Sequence, residues 1–497
     1  MKKYVYRFIG VVQLMVLLGL GACKKDAPDK FVPSSQPPIT SGPFDINSIK
    51  DTYPDEAPMA NYHRWGPYNV HDPAIIKADD YYYSYSTDVG YGISDAALTP
   101  GLQVRRSRDL IQWEYVGWVF STPPPLGSAL IRQAGGVPNR LLWAPCVVKV
   151  NNEYRLYYSL ASDVFKLSVI GLATATSPTG PWTERGVVVS SSNLPSTPVT
   201  NAIDPTVIID QQGRHHMYYG SAFDGIYILE LDPATGMSQN PGQRGRRIAQ
   251  RAFTGNTING NIEAPDIIYN REQNKYYLFI SYDWLFTKYN VRVGRSASPT
   301  GPFLDYNGRD VNLAQDDGPM ILAPYRFSGH GGWQGTAHST AFENNGQYYM
   351  AHQGRPGVDA FYMVMHVRKM FWTPDGWPVV SPERYAGEDN TASPQADLVG
   401  DWEHIKLDYR VTPGFANEQT RPDFQVSTPL SLAANGTFNG NAANTWTYAA
   451  PWLEMRYSNG VIDKLYVQKG RDWENRRPTI IFTGLNNAGV AMWGKKK

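Results

Sequence analysis

Three carboxylates in this chain stand at the openings of short phrases that lead into aromatic strands: His71-Asp72-Pro73-Ala74, Ile203-Asp204-Pro205-Thr206 and Ile262-Glu263-Ala264-Pro265. Acids of this kind can break an acetal bond between sugars. One protonated carboxyl donates to the leaving oxygen while a second, ionised, activates water from the opposite face. A third acid beside the donor holds that donor's proton by like-charge repulsion and orients it. An Asp-Pro before a strand is ordinarily a strand-entry device. Three acids at matching points of one repeat ask for a common site.

The elements that must bring them together are visible in the same repeat. Two more openings share the phrase, Trp143-Ala144-Pro145-Cys146 and Ala337-His338-Ser339-Thr340, so the chain carries five. Most run on to paired tyrosines: Tyr81-Tyr82-Tyr83, Tyr157-Tyr158, Tyr218-Tyr219, Tyr276-Tyr277 and Tyr348-Tyr349. Openings recur about every 60 to 75 residues, the length of a four-stranded propeller blade with its loops. The expected fold is therefore all-β, a five-bladed β-propeller whose strand starts converge on a central channel. Helical periodicity is nearly absent, leaving room for loop helices at most. Two near-copies, Ser177-Pro178-Thr179-Gly180-Pro181 and Ser298-Pro299-Thr300-Gly301-Pro302, read as turns between outer blade strands.

The chain has 497 residues, a formal net charge of +1, 32 Tyr and 14 Trp. Such a balance offers nothing to draw nucleic acid or an anionic bilayer, and favours a neutral partner with which amphipathic rings can engage. At the amino terminus Lys2 and Lys3 precede an apolar run and Leu20-Gly21-Ala22-Cys23, which predicts a lipoprotein signal peptide over 1–22 with Cys23 lipidated. Membrane contact is then expected only through that lipid, at the cell envelope, in the periplasm or on the outer surface. A Pro- and Ser-rich tether is expected over 23–60, the propeller over 61–390, and a small β-barrel or β-sandwich over 397–497, with turns at Asn435-Gly436 and Asn459-Gly460. The bracing of the propeller is the expected role of that last unit.

These motifs resemble glycoside hydrolase family 43, and within it the endo-acting α-1,5-L-arabinanases. The resemblance is carried by His71-Asp72-Pro73, Trp143-Ala144-Pro145, Ile170-Gly171-Leu172-Ala173-Thr174, Asn201-Ala202-Ile203-Asp204-Pro205, Ile262-Glu263-Ala264-Pro265 and Tyr289-Asn290-Val291-Arg292-Val293-Gly294. It implies an inverting hydrolase of neutral plant arabinan, with Asp72 as general base, Glu263 as general acid and Asp204 tuning the acid. The base and acid carboxyls would stand roughly 6.5–9.5 Å apart, leaving room for a water. His338 matches the fifth-blade histidine that approaches calcium directly or through water in similar enzymes, with His330 as a rival for that place. Trp143 and Phe223 stand in phrases that line the sugar cleft in similar enzymes, with blade core as the alternative, and Arg355 is expected either to hydrogen-bond a sugar hydroxyl or to pair with a neighbouring acid. One departure is Cys146, where similar enzymes carry Asp after the second Trp-Ala-Pro. An exo-acting α-L-arabinofuranosidase or β-xylosidase would use the same scaffold, with loop lengths deciding between them. A non-catalytic glycan-binding propeller needs no such set of acids.

Overall fold

The computed structural model describes residues 44–192, 200–251, 253–254, 257–258, 261–314, 318–408 and 420–497. The expected signal peptide, Cys23 and the tether as far as residue 43 lie outside them. Four antiparallel four-stranded sheets follow one another along the chain. The first holds β1 (Ala74–Ala78), β2 (Tyr81–Ser86), β3 (Gln103–Ser107) and β4 (Glu114–Trp118), and is followed by α1 (Pro125–Gln133). The second holds β5 (Trp143–Val150), β6 (Glu153–Ala161), β7 (Ser168–Ala175) and β8 (Thr183–Ser190). In the third are β9 (Thr206–Ile209), β10 (His215–Tyr219), β11 (Ile226–Leu231) and β12 (Arg246–Ala249). A short hairpin, β13 (Phe253–Thr254) and β14 (Thr257–Ile258), leads to the fourth sheet: β15 (Ile262–Asn270), β16 (Lys275–Tyr282), β17 (Asn290–Ser296) and β18 (Met320–Leu322).

The last sheet departs from the expected pattern of equal blades. It has seven strands: β19 (Tyr325–Arg326), β20 (Trp333–Gln334), β21 (Thr340–Asn344), β22 (Gln347–Pro356), β23 (Val364–Trp372), β24 (Pro378–Val380) and β26 (Gln425–Val426), the last pairing in parallel with β19. The extension arises because β22 runs ten residues and offers its end, Arg355 and Pro356, to β20.

The tyrosine strands are buried on both faces because sheets pack face to face, so alternation of polar and apolar residues is weak there. Tyr83, Tyr85 and Val104 of the first sheet share a core with Leu156, Tyr158 and Val169 of the second. Tyr157 and Leu172 pack with Val207, Met217 and Leu229 of the third, and Tyr218 and Ile228 with Leu278 and Ile280 of the fourth. Ile75 and Tyr82 meet Tyr349, Met365 and Val367, which joins the last sheet to the first. First strands touch in the same order: β1 beside β5, β5 beside β9, β9 beside β15, β15 beside β21, and β21 beside β1. The fold is thus an all-β propeller.

Residues 44–60, expected to be linker, belong to the folded body. Tyr53 is fully buried and its hydroxyl donates to Met363 O at 3.0 Å while accepting the Asn69 N–H at 3.1 Å. A closed barrel follows, resolving the barrel-or-sandwich alternative. Its strands are β25 (Gly400–Leu407), β27 (Thr428–Leu432), β28 (Thr437–Phe438), β29 (Asn441–Ala449), β30 (Trp452–Arg456), β31 (Ile462–Asp472), β32 (Arg477–Asn486) and β33 (Ala491–Lys496), which pairs back to β25. Trp402, Phe438, Trp446, Leu453, Leu465 and Phe482 fill its interior.

Candidate active site

Each first strand begins with a residue whose backbone lies in the left-handed region: Asp72 at φ 55°, Ala144 at 25°, Asp204 at 58°, Ala264 at 52° and His338 at 51°. Residues other than glycine rarely adopt this conformation, and where they do it is imposed by surrounding structure. The register therefore differs from the simplest reading. Asp72, Asp204 and His338 occupy equivalent positions, whereas Glu263 stands one residue earlier, at the place Trp143 takes in the second sheet. β-Bulges between Glu263 and Asp266, and between Trp143 and Cys146, absorb the offset.

A polar side chain near the end of each sheet's second strand holds the opening of the next sheet. Gln353 Oε1 accepts the Asp72 N–H at 2.8 Å, Thr87 Oγ1 accepts that of Ala144 at 2.8 Å, and Ser159 Oγ accepts that of Asp204 at 3.1 Å. Ser281 Oγ accepts the His338 N–H at 3.0 Å. Between the third and fourth sheets the contact goes to the acid itself, Ser221 Oγ donating to Glu263 Oε2 at 2.8 Å. These residues were not singled out from sequence. The signal available was the recurrence of Ser or Thr at the ends of the tyrosine strands.

Asp72 is buried and receives Thr87 Oγ1–H on Oδ2 at 2.6 Å and His338 Nδ1 on Oδ1 at 2.8 Å, with His71 Nδ1 at 3.0 Å from Oδ2. Burial would raise its pKa, but the imidazoles of His338 and His71 overcome this and hold the carboxyl well below the usual range. Asp204 is pushed the other way. Burial, opposed by His338 and reinforced by Glu263 and Asp72, keeps it well above the carboxylate range. Asp72 is therefore held as the carboxylate, while burial and the two neighbouring acids favour the neutral form of Asp204. Glu263 is less enclosed, and its Oε1 accepts from Tyr289 Oη at 2.7 Å. The arrangement puts together an ionised carboxylate, a buried carboxyl raised well above the usual range and a more accessible, hydrogen-bonded one, and acetal hydrolysis calls for carboxyls in different protonation states.

Burial opposes the positive charge on His338, but Asp72, with Asp204 and Glu263, lifts its pKa to about 9. With Nδ1 engaged by Asp72, Nε2 is the ring atom left to meet a ligand. The acids that favour a cationic His338 would equally favour a divalent cation, and with the ring neutral and water supplying the oxygens it prefers the residues fit calcium. His330 does not join this group: its Nε2 pairs with Asp51 Oδ2 at 2.8 Å and its ring lies beside Trp333. A different acidic group that could hold a metal ion, Glu383, Asp472 and Glu474, lies where the last sheet meets the barrel. The Lys495 ammonium already occupies it, 2.9 Å from both Glu383 and Asp472.

Trp143 is half-buried at the start of β5, next to Ala144. Phe223 lies in the loop after β10, two residues from Ser221, with its ring edge-to-face against Phe165 at 5.2 Å. Arg355 is 3% exposed, donates to Ala360 O at 2.6 Å and stacks over Phe286 at 4.4 Å. That packs it against a loop and a ring, and among the three acids Asp72 is the one whose charge acts on it. Cys146 is buried beside Thr206 and Asp266, and burial pushes its thiol up to about 12. Asp266, three residues after Glu263, accepts from Thr206 Oγ1 at 3.2 Å and from the Ala341 N–H at 2.6 Å, so it ties three sheets together below the site. Burial raises it to about 6.

An all-β propeller whose strand openings join carboxylates with an imidazole defines a glycoside hydrolase. Residues 66–378 match the model of glycosyl hydrolases family 43, and residues 382–494 match a C-terminal lipocalin-like domain that accompanies that family. The chain belongs to glycosyl hydrolase family 43. It is 29% identical over 474 residues to an extracellular endo-α-(1→5)-L-arabinanase of Thermotoga petrophila, covering 87% of this chain and 94% of that protein. It is 29% identical over 326 residues to an extracellular exo-α-(1→5)-L-arabinofuranosidase of Cellvibrio japonicus, covering 63% of this chain and 86% of that one. The crystal structure of the endo-1,5-α-L-arabinanase from Thermotoga petrophila superposes with a TM-score of 0.73 at 26% identity, over 87% of this chain and 99% of that one.

Proposed function

We propose that this protein hydrolyses α-1,5-linked L-arabinan within the chain, with inversion of configuration. Asp72 activates water, Glu263 protonates the departing oxygen, and Asp204 tunes and positions Glu263. The observation that carries this reading is the convergence of an Asp72 held ionised by two imidazoles and a buried Asp204 pushed in the opposite direction, beside a Glu263 that the hydroxyls of Ser221 and Tyr289 orient. The endo mode rests on the Thermotoga petrophila relative, which spans both the propeller and the barrel. In this reading the seven-stranded sheet closes a five-bladed ring, supported by the succession of first strands from β1 round to β21 and back. His338 would hold a calcium ion together with water, and the ion would supply fixed positive charge among the acids. Cys23 carries the lipid that keeps the enzyme at the cell envelope, in keeping with the relatives named extracellular.

Sizing the products of linear arabinan over time and following their anomeric configuration by NMR tests the proposal. Short oligosaccharides released early, with inverted configuration, are expected. Free arabinose as the sole early product would replace the endo reading with the exo one, and retention would overturn the roles of Asp72 and Glu263.

A further inference from the structure

Thr87 and Asp88 directly follow the tyrosine strand β2 of the first sheet, and both are buried, at 3% and 1% exposure. The Thr87 N–H donates to His71 O at 3.0 Å, so its backbone grips the residue before Asp72. Its hydroxyl has a single hydrogen to give. The Ala144 N–H can only donate, and Thr87 Oγ1 accepts it at 2.8 Å. The hydroxyl hydrogen is thereby left for Asp72 Oδ2, at 2.6 Å. The second sheet thus dictates the direction of the bond that Thr87 makes to the acid of the first.

Asp88 keeps Thr87 in place. Its N–H donates to Leu142 O at 3.0 Å, and its carboxyl oxygens accept the N–H groups of Gly101 at 2.8 Å, Leu102 at 2.9 Å and Leu142 at 3.0 Å. The pair therefore ties residues 71 and 72 on one side to residues 142 and 144 on the other, and the β-branched Thr87 side chain has little freedom of its own about χ1. The hydroxyl in the equivalent place of the second sheet is used differently. Ser159 accepts the Asp204 N–H at 3.1 Å and gives its hydrogen to Ala144 O at 3.1 Å, a backbone atom in place of an acid.

We propose that Thr87 is a positioning residue for hydrolysis: its hydroxyl sets the plane of the Asp72 carboxyl, and with it the direction from which the attacking water is activated. The torsion that turns a carboxyl about its Cβ–Cγ bond is soft, so one hydrogen bond leaves the group free to swing. Here both oxygens are held, Oδ2 by Thr87 and Oδ1 by His338 Nδ1 at 2.8 Å. Each oxygen keeps a second acceptor position with which water can engage. This role rests on Asp72 acting as the base and adds the group that aims it.

The test measures kcat and KM on linear arabinan and on a dinitrophenyl α-L-arabinofuranoside for the purified protein and for Thr87→Val, Thr87→Ser, Asp72→Asn and the double variant Thr87→Val/Asp72→Asn. Thr87→Val should lower kcat about tenfold to a hundredfold on both substrates, the scale of a misplacement by about an ångström, with KM within about twofold. Thr87→Ser keeps the hydroxyl and should stay close to wild type. In the Asp72→Asn background the valine should cost less than about twofold, because the group it aims is already gone. Valine also strips the Ala144 N–H of its acceptor, so Thr87→Ala, which leaves space for a water there, is measured alongside and takes its place if the valine variant does not fold; the same pattern with a smaller loss is expected. A loss confined to arabinan, a change in KM alone, a serine variant no better than valine, or a full second loss in the double variant would overturn the positioning role and leave arabinan hydrolysis standing. Wild-type activity in Asp72→Asn would overturn the assignment of the base, and the role of Thr87 with it.

Discussion

Replacing Glu263 by Gln isolates proton donation from shape. Tyr289 and Ser221 hydroxyls approach the two carboxyl oxygens at 2.7 and 2.8 Å, and a hydroxyl can donate or accept. In the variant one hydroxyl keeps donating to the amide oxygen and the other turns to accept from the amide nitrogen, so no buried polar group is stranded and the loop stays in place. What disappears is the transferable proton. General acid catalysis contributes roughly a hundredfold to ten-thousandfold, or about 3–5 kcal/mol at 1.36 kcal/mol per factor of ten. That full loss is expected in kcat/KM on linear arabinan, whose leaving group is a sugar alkoxide. On an aryl arabinofuranoside with a dinitrophenyl leaving group, which departs without protonation, the loss should be under about tenfold. Asp72→Asn should damage both substrates, because water must be activated whatever leaves. Equal losses for Glu263→Gln on both substrates would refute its role as the acid.

Asp266 is ionised in the folded state only above about 6, since burial raises it from the ordinary value, so its charge costs stability as pH rises past the unfolded value and through 6. Asp266→Asn should therefore melt higher than wild type above pH 7 and lose that advantage near pH 4, as read by calorimetry across pH; the same difference at both ends would contradict the sign. Lys495 is 2% exposed and neutralises Glu383, Asp472 and Glu474. Lys495→Met removes the cation they share, leaving only Asp472, among the described residues, with another ionic partner in Arg477 at 3.7 Å, and should cost about 3–5 kcal/mol, seen as a fall of several degrees in Tm with the barrel's near-UV signal changing alongside. Cys146 has a buried thiol raised to about 12 by that burial, so a thiol reagent should label it in denaturant and leave it unlabelled in the native protein.

The parts of this fold that showed in the sequence are those with local causes. The acid-Pro phrases mark strand entries, the tyrosine pairs mark strands buried on both faces, and Asn435-Gly436 and Asn459-Gly460 mark turns with positive φ at glycine. What did not show depends on partners far along the chain. The parallel pairing of Tyr325 with Gln425 that enlarges the last sheet has no local signature. Burial of Tyr53 against Asn69 and Met363 makes structure of a segment whose proline-rich lead-in reads as tether. The one-residue offset of Glu263 follows from a bulge, and its repeat phrase reads the same with or without one. Asp266 looks like an ordinary strand residue until Thr206 and Ala341 are placed beside it.

Because Asp72, Asp204, Glu263 and His338 arise from four different sheets, their separations are set by how those sheets lean on one another. Each opening is held by a side chain of the preceding sheet, and the step that closes the series is Gln353, on β22, accepting from the Asp72 N–H. A displacement of β22 would therefore move the base directly. That strand is held by segments from both ends of the chain. Its end pairs with β20, which continues through β19 to β26, and its neighbour β23 begins at Val364, which bridges to Tyr68 of the amino-terminal segment. The barrel adds buried charge at the same sheet through Lys495 and Glu383, and packs Trp493 against Tyr325 at 5.2 Å. Contacts to side-chain atoms of a base tolerate little slack, since misplacement by about an ångström can cost a hundredfold in rate. The bracing of the last sheet from both ends of the chain thus reaches Asp72 through one amide, so with Asp72 as the proposed base, loosening the barrel's contacts to that sheet is expected to lower activity.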